Sequence, residues 1–265
     1  MEMTQYLLAR PHTLISLTAF ADRYQSAKSS ISEDLAIIKE VFEEEGIGEL
    51  HTLAGAAGGV KYMPMMRESL ALEIMKEICK KLEQPDRVLP GGYLYMTDML
   101  GQPDLLADVG RMFATAFADR KIDVIMTVET KGIPLAYATA ACLNIPVVIV
   151  RRDNKVTEGS AVSINYVSGS TKRIQTMSLA RRALKEQSRV LIIDDFMKAG
   201  GTIQGMMDLL YEFKATVAGV GVFVESGEVE MEERLLEDYI SLAKLTAVDM
   251  KTKQTTIIPG NYFTS

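Results

Sequence analysis

The sequence predicts an α/β chain: a mainly parallel sheet with helices on both faces, preceded by a small helical module that ends in a hairpin. Three observations predict it. Apolar runs at residues 122–128, 146–150, 190–193 and 216–224 alternate with helix-like segments, the pattern of strands joined by crossover helices. Up to about residue 74, apolar residues instead recur at helical spacing. Two of the strand-like runs lead into loops rich in charge and glycine, the place where open α/β sheets bind ligands.

Composition narrows the class. At 265 residues, 48% hydrophobic and 24% charged, the chain has material for one large or two modest domains. No apolar run approaches the roughly 18 residues of a membrane helix, and the start MEMTQYLLAR lacks the basic region of a signal peptide. Cys79 and Cys142 are isolated, which fits buried thiols in a reducing cytoplasm. A cytoplasmic protein with no membrane partner is expected. With only His12 and His51, neither a histidine metal site nor a catalytic triad is expected.

The first module is read as residues 1–74. Tyr6, Leu7 and Leu8, then Leu17, Phe20, Ala21 and Tyr24, then Ile31, Leu35, Ile38, Val41 and Phe42 mark three helices. Residues 25–28 form a turn, Ser29 or Ser30 caps the third helix, and Gly46 stops it near Glu45. Strands at 48–53 and 60–63 flank a glycine-rich tip. Three helices and a hairpin are the order of a winged helix. The helix after the turn would then meet base edges, which nominates Lys28, Ser29, Ser30 and Ser32 for DNA binding, with Lys61 on the wing. A helical interaction or dimerisation module is the competing reading. Charge favours that competitor, since six Lys or Arg stand against eleven Asp or Glu here, a net of −5, whereas DNA binders carry basic patches. Glu40, Glu43, Glu44 and Glu45 crowd the far end of the third helix, however.

The second domain, 75–265, carries the chemistry. In VLIIDDFMKAGGT (190–202) a buried strand is expected to end at Asp194 and Asp195, before a helix over 203–213. Adjacent carboxylates can accept from two ribose hydroxyls. Paired glycines and a helix start suit a phosphate. No G-x-x-x-x-G-K-[ST] occurs. A second strand, 122–128, leads into Glu129, Thr130, Lys131 and Gly132, then a helix over 133–143 closed by Asn144 and Pro146. A lysine and a glycine there suit a pyrophosphate. Residues 151–189 hold nine Lys or Arg against three acidic residues, a net of +6; this is either a solvated hairpin or a cationic flap, with a helix expected over 177–185. Tyr93 and Tyr95 (within 89–103) offer rings for stacking or for sheet packing. Helices are expected over 105–117 and 231–238.

VLIIDDFMKAGGT resembles the phosphoribosyl pyrophosphate (PRPP) motif of type I phosphoribosyltransferases. That resemblance implies that Asp194 and Asp195 hold the ribose, and that Lys198, Ala199, Gly200, Gly201 and Thr202 wrap its 5-phosphate. Phe196 and Met197 complete the motif. Thr130, Lys131 and Gly132 resemble the pyrophosphate loop, and Tyr93 lies where the family builds a hood over the base. Ala199 departs from the threonine common in the family. Across nearly the whole chain, SAKSSISEDL, GAAGGVKY, LPGGY, TKGIPLAYA, VRRDNKVTEGS and INYVSGS resemble the purine operon repressors of Gram-positive bacteria. The resemblance implies a homodimeric transcriptional repressor of purine biosynthesis genes with no base transfer. It would bind operator DNA and be released by PRPP carrying Mg²⁺, with other ribose–pyrophosphate nucleotides as competitors. The alternative is a purine phosphoribosyltransferase with an added N-terminal domain.

Overall fold

The computed structural model describes residues 1–55, 58–89, 93–152, 159–167, 173–227, 234–249, 251–252 and 254–264. Ala56 and Ala57 of the tip, Pro90, Gly91 and Gly92, and the flap cations Lys155 and Lys172 lie outside them.

Helices α1 (Glu2–Leu8), α2 (Leu17–Tyr24) and α3 (Lys28–Glu44) precede an antiparallel pair, β1 (Glu49–Leu53) and β2 (Gly59–Met63). The apolar stripes foreseen in the sequence close on one another: Leu7, Phe20, Ile31, Leu35, Phe42, Leu50 and Tyr62 share one core. Ser16 caps α2 by accepting from the Ala19 amide at 3.1 Å, and Gln25 ends it in the left-handed conformation. The start of α3 corrects one expectation. Ala27 is the residue before the helix, and no side chain caps it. Ser29 and Ser30 stand inside its first turn, exposed.

The core changes hands between Tyr62 and Met66, the latter belonging to the larger body. Helix α4 (Glu68–Leu82) runs unbroken through residue 75 and buries Ala71, Met75, Ile78 and Leu82 in that larger core. The short strands β3 (Val88–Leu89) and β4 (Tyr93–Leu94) and helix α5 (Pro103–Ala116) follow. Then come β5 (Val124–Val128), α6 (Gly132–Leu143), β6 (Val147–Val150), the hairpin β7 (Ala161–Val167) and β8 (Ile174–Ala180), β9 (Arg189–Met197) and α7 (Gly201–Glu212). Strands β10 (Thr216–Ser226), β11 (Ile240–Asp249) and β12 (Gln254–Pro259) complete the sheet. Its order is β12-β11-β10-β9-β5-β6, parallel except for β12. Alternation along β9 decides the layers. Leu191 and Ile193 face α4, α5 and α6, whereas Val190 and Ile192 face α7 and the β7–β8 hairpin.

Two further expectations are corrected. Residues 177–185 form the end of β8 and a 3-10 turn at Arg181–Ala183 rather than a helix. Met177, Ala180 and Leu184 mimic a helical stripe, but seven residues of β8 pair in register with β7, and the Thr176 hydroxyl donates to Asn165 at 2.9 Å. Residues 231–233 lie outside the described residues, and 234–238 are not helical. Arg234 is held there by Glu225, Tyr239 and the Ser226 carbonyl.

The two bodies are tied through α5 and α6. Arg111 of α5 donates one Nη2 group to the carbonyls of Gly46 (2.6 Å), Ile47 (3.2 Å) and Met65 (3.1 Å). Asn144, just past α6, donates to the Thr13 hydroxyl at 3.2 Å. Among the described residues no helix is long and apolar enough to cross a membrane.

Candidate effector site and nucleic-acid face

Helix α6 leaves β5 toward β6, while α7 leaves β9 in the other direction, toward β10. The crevice outside the carboxyl ends of β5 and β9 is therefore the switch point of the sheet, where doubly wound folds bind ligands. Both sequence-nominated loops open there. Strand β9 does not stop before the aspartates, as its apolar run suggested. Asp194, Phe196 and Met197 pair with Val222, Val224 and Glu225 of β10, while pairing with β5 ends at Ile192. The Phe196 ring packs partly against the α4–α6 core, and Met197 is buried in the α7 core, so both side chains anchor the strand.

Asp194 is 4% exposed, and its Oδ1 accepts from the Asp195 amide at 3.0 Å. Burial, and then the neighbouring Asp195 charge, push the Asp194 carboxyl well above its ordinary range. Burial also raises Asp195, against the opposing pull of Lys131. A side chain at Gly132 would collide with Thr127 Oγ1 and stand 3.2 Å from Asp194 Oδ1. The β5 loop and the β9 carboxylates thus meet with only hydrogen between them. Thr127 Oγ1 is buried with no hydrogen-bond partner among the described residues. The Glu129–Thr130 peptide is cis, and Thr130 and Lys131 are exposed.

Both loops end at a helix start that no side chain caps, Lys131 before α6 and Gly200 before α7. At α7 the first amides are unmet by any cap among the described residues, a ready anion site; at α6 the Ile133 amide donates to the Thr130 carbonyl at 3.3 Å and Pro134 carries no N–H, so that helix start offers fewer donors. Gly200 has φ +90°, and a Cβ there would meet Leu236 Cδ1 at 2.6 Å. Ala199 is half-buried and its carbonyl accepts from the Leu235 amide at 3.0 Å. Lys198 is exposed; Gly201 is buried and Thr202 half-buried. Tyr93 lies on β4, 53% exposed, and no hydrogen bond or ring contact joins it to either loop among the described residues.

On the N-terminal body, Lys28, Ser29, Ser30 and Ser32 are exposed at the start of α3, above the buried Ile31 and Leu35. Lys61 stands opposite His51 on the wing. Burial, and then the Lys61 and His51 charges, lower the pKa of His12 beside them. The acidic end of α3 is distant along the helix, where Lys39 pairs with Glu43 at 3.7 Å.

Comparison with known proteins fits this division. The family described as bacterial purine repressor, N-terminal, matches residues 1–64, and the phosphoribosyl transferase domain matches residues 96–252. The purine biosynthesis transcriptional repressor PurR of Bacillus subtilis (strain 168) is 62% identical over 98% of this chain and 91% of its own length. The chain belongs to the PurR family. A second member, the purine biosynthesis transcriptional activator PurR of Lactococcus lactis subsp. lactis (strain IL1403), is 44% identical over 99% of this chain and 96% of its own. The adenine phosphoribosyltransferase structure from Thermoanaerobacter pseudethanolicus aligns with a TM-score of 0.56 at 24% identity, over 63% of this chain and 98% of that one. That likeness shows the fold alone. Kinship with PurR proteins places this chain among regulators rather than enzymes.

Two contacts around the crevice have no simple signature in the sequence. Glu129 joins the ends of β5 and β6, accepting from the Arg152 amide at 2.8 Å and from Arg151 Nη1 at 3.1 Å. Arg152 then bears electrostatically on both aspartates. Its signal in the sequence is only the VRRDNK run directly after a strand. The second is a clamp under the Leu235–Leu236 strap. Glu225 is buried, yet hydrogen bonds from Tyr239, Arg234 and Ser241 outweigh that burial and hold its carboxyl below the usual range.

Proposed function

We propose that this chain represses purine biosynthesis genes by binding operator DNA as a homodimer, and that PRPP in the β5–β9 crevice releases it without base transfer. One observation carries the reading. Two helix starts without a side-chain cap and a pair of adjacent carboxylates, Asp194 buried and Asp195 half-buried, converge on one crevice, in a chain that also presents a helix-and-wing module. Asp194 and Asp195 would accept from the ribose hydroxyls, which relieves their mutual repulsion. Lys198, Ala199, Gly200, Gly201 and Thr202 would cradle the 5-phosphate, and Thr130, Lys131 and Gly132 the pyrophosphate. Tyr93 would lie over the ring side of the pocket. Mg²⁺ would arrive on the pyrophosphate. Other ribose–pyrophosphate nucleotides would compete for the same contacts.

Lys28, Ser29, Ser30, Ser32 and Lys61 would meet the DNA. We take the functional division at the transfer of core after Tyr62, upstream of the change of sequence character near residue 75. Helix α6 supports coupling, because it begins at the pyrophosphate loop and ends beside Thr13 of the N-terminal body.

The test is a titration of the full chain against purine-gene control DNA, with and without PRPP and magnesium. Retarded DNA that PRPP releases is expected. Binding that ignores PRPP, or nucleotide formation from PRPP and a purine base, overturns the reading. Lys28→Ala should weaken operator binding roughly tenfold and leave calorimetric PRPP affinity unchanged.

A further inference from the structure

The N-terminal body carries a net negative charge, yet its cations are not equally occupied. Lys39 pairs with Glu43, and Arg67 donates to the Glu44 carbonyl. Arg10, Arg23, Lys28 and Lys61 have no carboxylate partner among the described residues. Two of the four are brought together. The Arg10 guanidinium lies 3.9 Å from the centre of the Tyr6 ring and the Arg23 guanidinium 4.4 Å from the same centre. The charges can therefore be no further apart than those two distances end to end, within about one Debye length at physiological salt. Arg10 also donates to the Tyr6 carbonyl at 3.3 Å, and Arg23 lies 5.8 Å from the Tyr24 ring. Both arginines are exposed. Stacking on an aromatic face orients a guanidinium while leaving its N–H edge open to a phosphate.

We infer that the Arg10–Tyr6–Arg23 stack is a second DNA contact, one that grips backbone phosphates. This rests on the proposed DNA-binding role. Its position favours DNA as the anion. Arg23 sits in the last turn of α2, and five residues later α3 begins with Lys28. In a helix-turn-helix the first helix crosses the phosphate backbone while the second enters the groove.

The experiment measures affinity of the full chain, without PRPP, across a salt series for a purine-gene control duplex and for a scrambled duplex of equal length. Each phosphate contact contributes about 0.9 to the slope of log affinity against log salt. The double variant Arg10→Gln/Arg23→Gln should lose about 1.8 of slope for each chain on the DNA, about 3.6 for the homodimer, and weaken on both duplexes by the same factor. Arg10→Lys/Arg23→Lys should keep the slope, which separates charge from fold, and melting curves check both variants. An unchanged slope in the Gln variant overturns the inference while operator binding stands. Loss on the control duplex alone also overturns it, pointing to base reading. A native chain that binds neither duplex overturns the DNA-binding role itself.

Discussion

The two ends of β5 and β9 hold acidic residues in opposite circumstances. At the amino ends, Asp123 accepts from the Arg189 amide (2.8 Å), Nε (2.9 Å) and Nη2 (2.6 Å). Those bonds hold its carboxyl down at about 2. At the carboxyl ends, Asp194 and Asp195 have no hydrogen bond from a cationic side chain among the described residues, and burial raises both. One end ties the sheet together. The other keeps acceptor capacity uncompensated, which would serve the ligand proposed above at a cost to the free protein.

The most disruptive way to break that contrast is Gly132→Val. The added atoms would overlap the buried Thr127 Oγ1 and crowd Asp194 Oδ1, so both side chains would have to shift. Overpacking of this kind costs about 1–3 kcal/mol, and PRPP affinity should fall by about a hundredfold or more, about 2.8 kcal/mol. Calorimetry with PRPP and a melting curve read the two effects separately. Native-like PRPP binding would remove the β5 loop from the site.

Asp195→Ala should leave operator affinity intact while weakening PRPP by roughly 10–150-fold, the worth of one hydrogen bond to a charged group. Release of operator at native PRPP concentrations would contradict the assignment. Asp194→Asn sharpens the contrast through stability. Below about pH 4 the Asp194 carboxyl is protonated in folded and unfolded chains alike. As pH rises the unfolded chain ionises first, so the buried acid progressively destabilises the fold. The Asn variant should melt a few degrees higher at neutral pH, with the gain vanishing near pH 4. A gain independent of pH would mean that Asp194 is not held in its raised state.

The crevice was largely legible in the sequence, and the reason is physical. A strand buried on both faces leaves an unbroken apolar run, as in 190–193, and a loop that must approach a carboxylate must use glycine, as at Gly132. Asn144 likewise announced its left-handed helix end, at φ 55°. What escaped notice depends on contacts between distant segments. The clamp on the strap needs Glu225, Arg234, Tyr239 and Ser241 from a strand, a connection and the next strand, and no spacing rule links them. Arg10 and Arg23 meet only because α1 and α2 pack with Tyr6 beside Phe20, ring centres 6.0 Å apart. Strand β8 was misread because Met177, Ala180 and Leu184 satisfy a helical period while Met177 and Leu179 satisfy a strand period. Pairing with β7 decided between them.

Asp123→Asn tests the tied end and should have the smallest effect. The native carboxyl sits at about 2 in the folded chain against its ordinary 3.8. Its stabilisation is therefore present above about pH 4 and lost as pH falls toward 2. The Asp123 and Arg189 side chains are 41% and 43% exposed, so solvent screening keeps the contribution of the pair small, a few degrees of melting temperature at most. PRPP affinity should not change. Melting curves from pH 3 to 8 for this variant and for Asp194→Asn should then diverge in opposite senses as pH rises, one below the native chain and one above. Displacement of both curves in the same direction would show that the two ends of the sheet do not differ in how they hold charge.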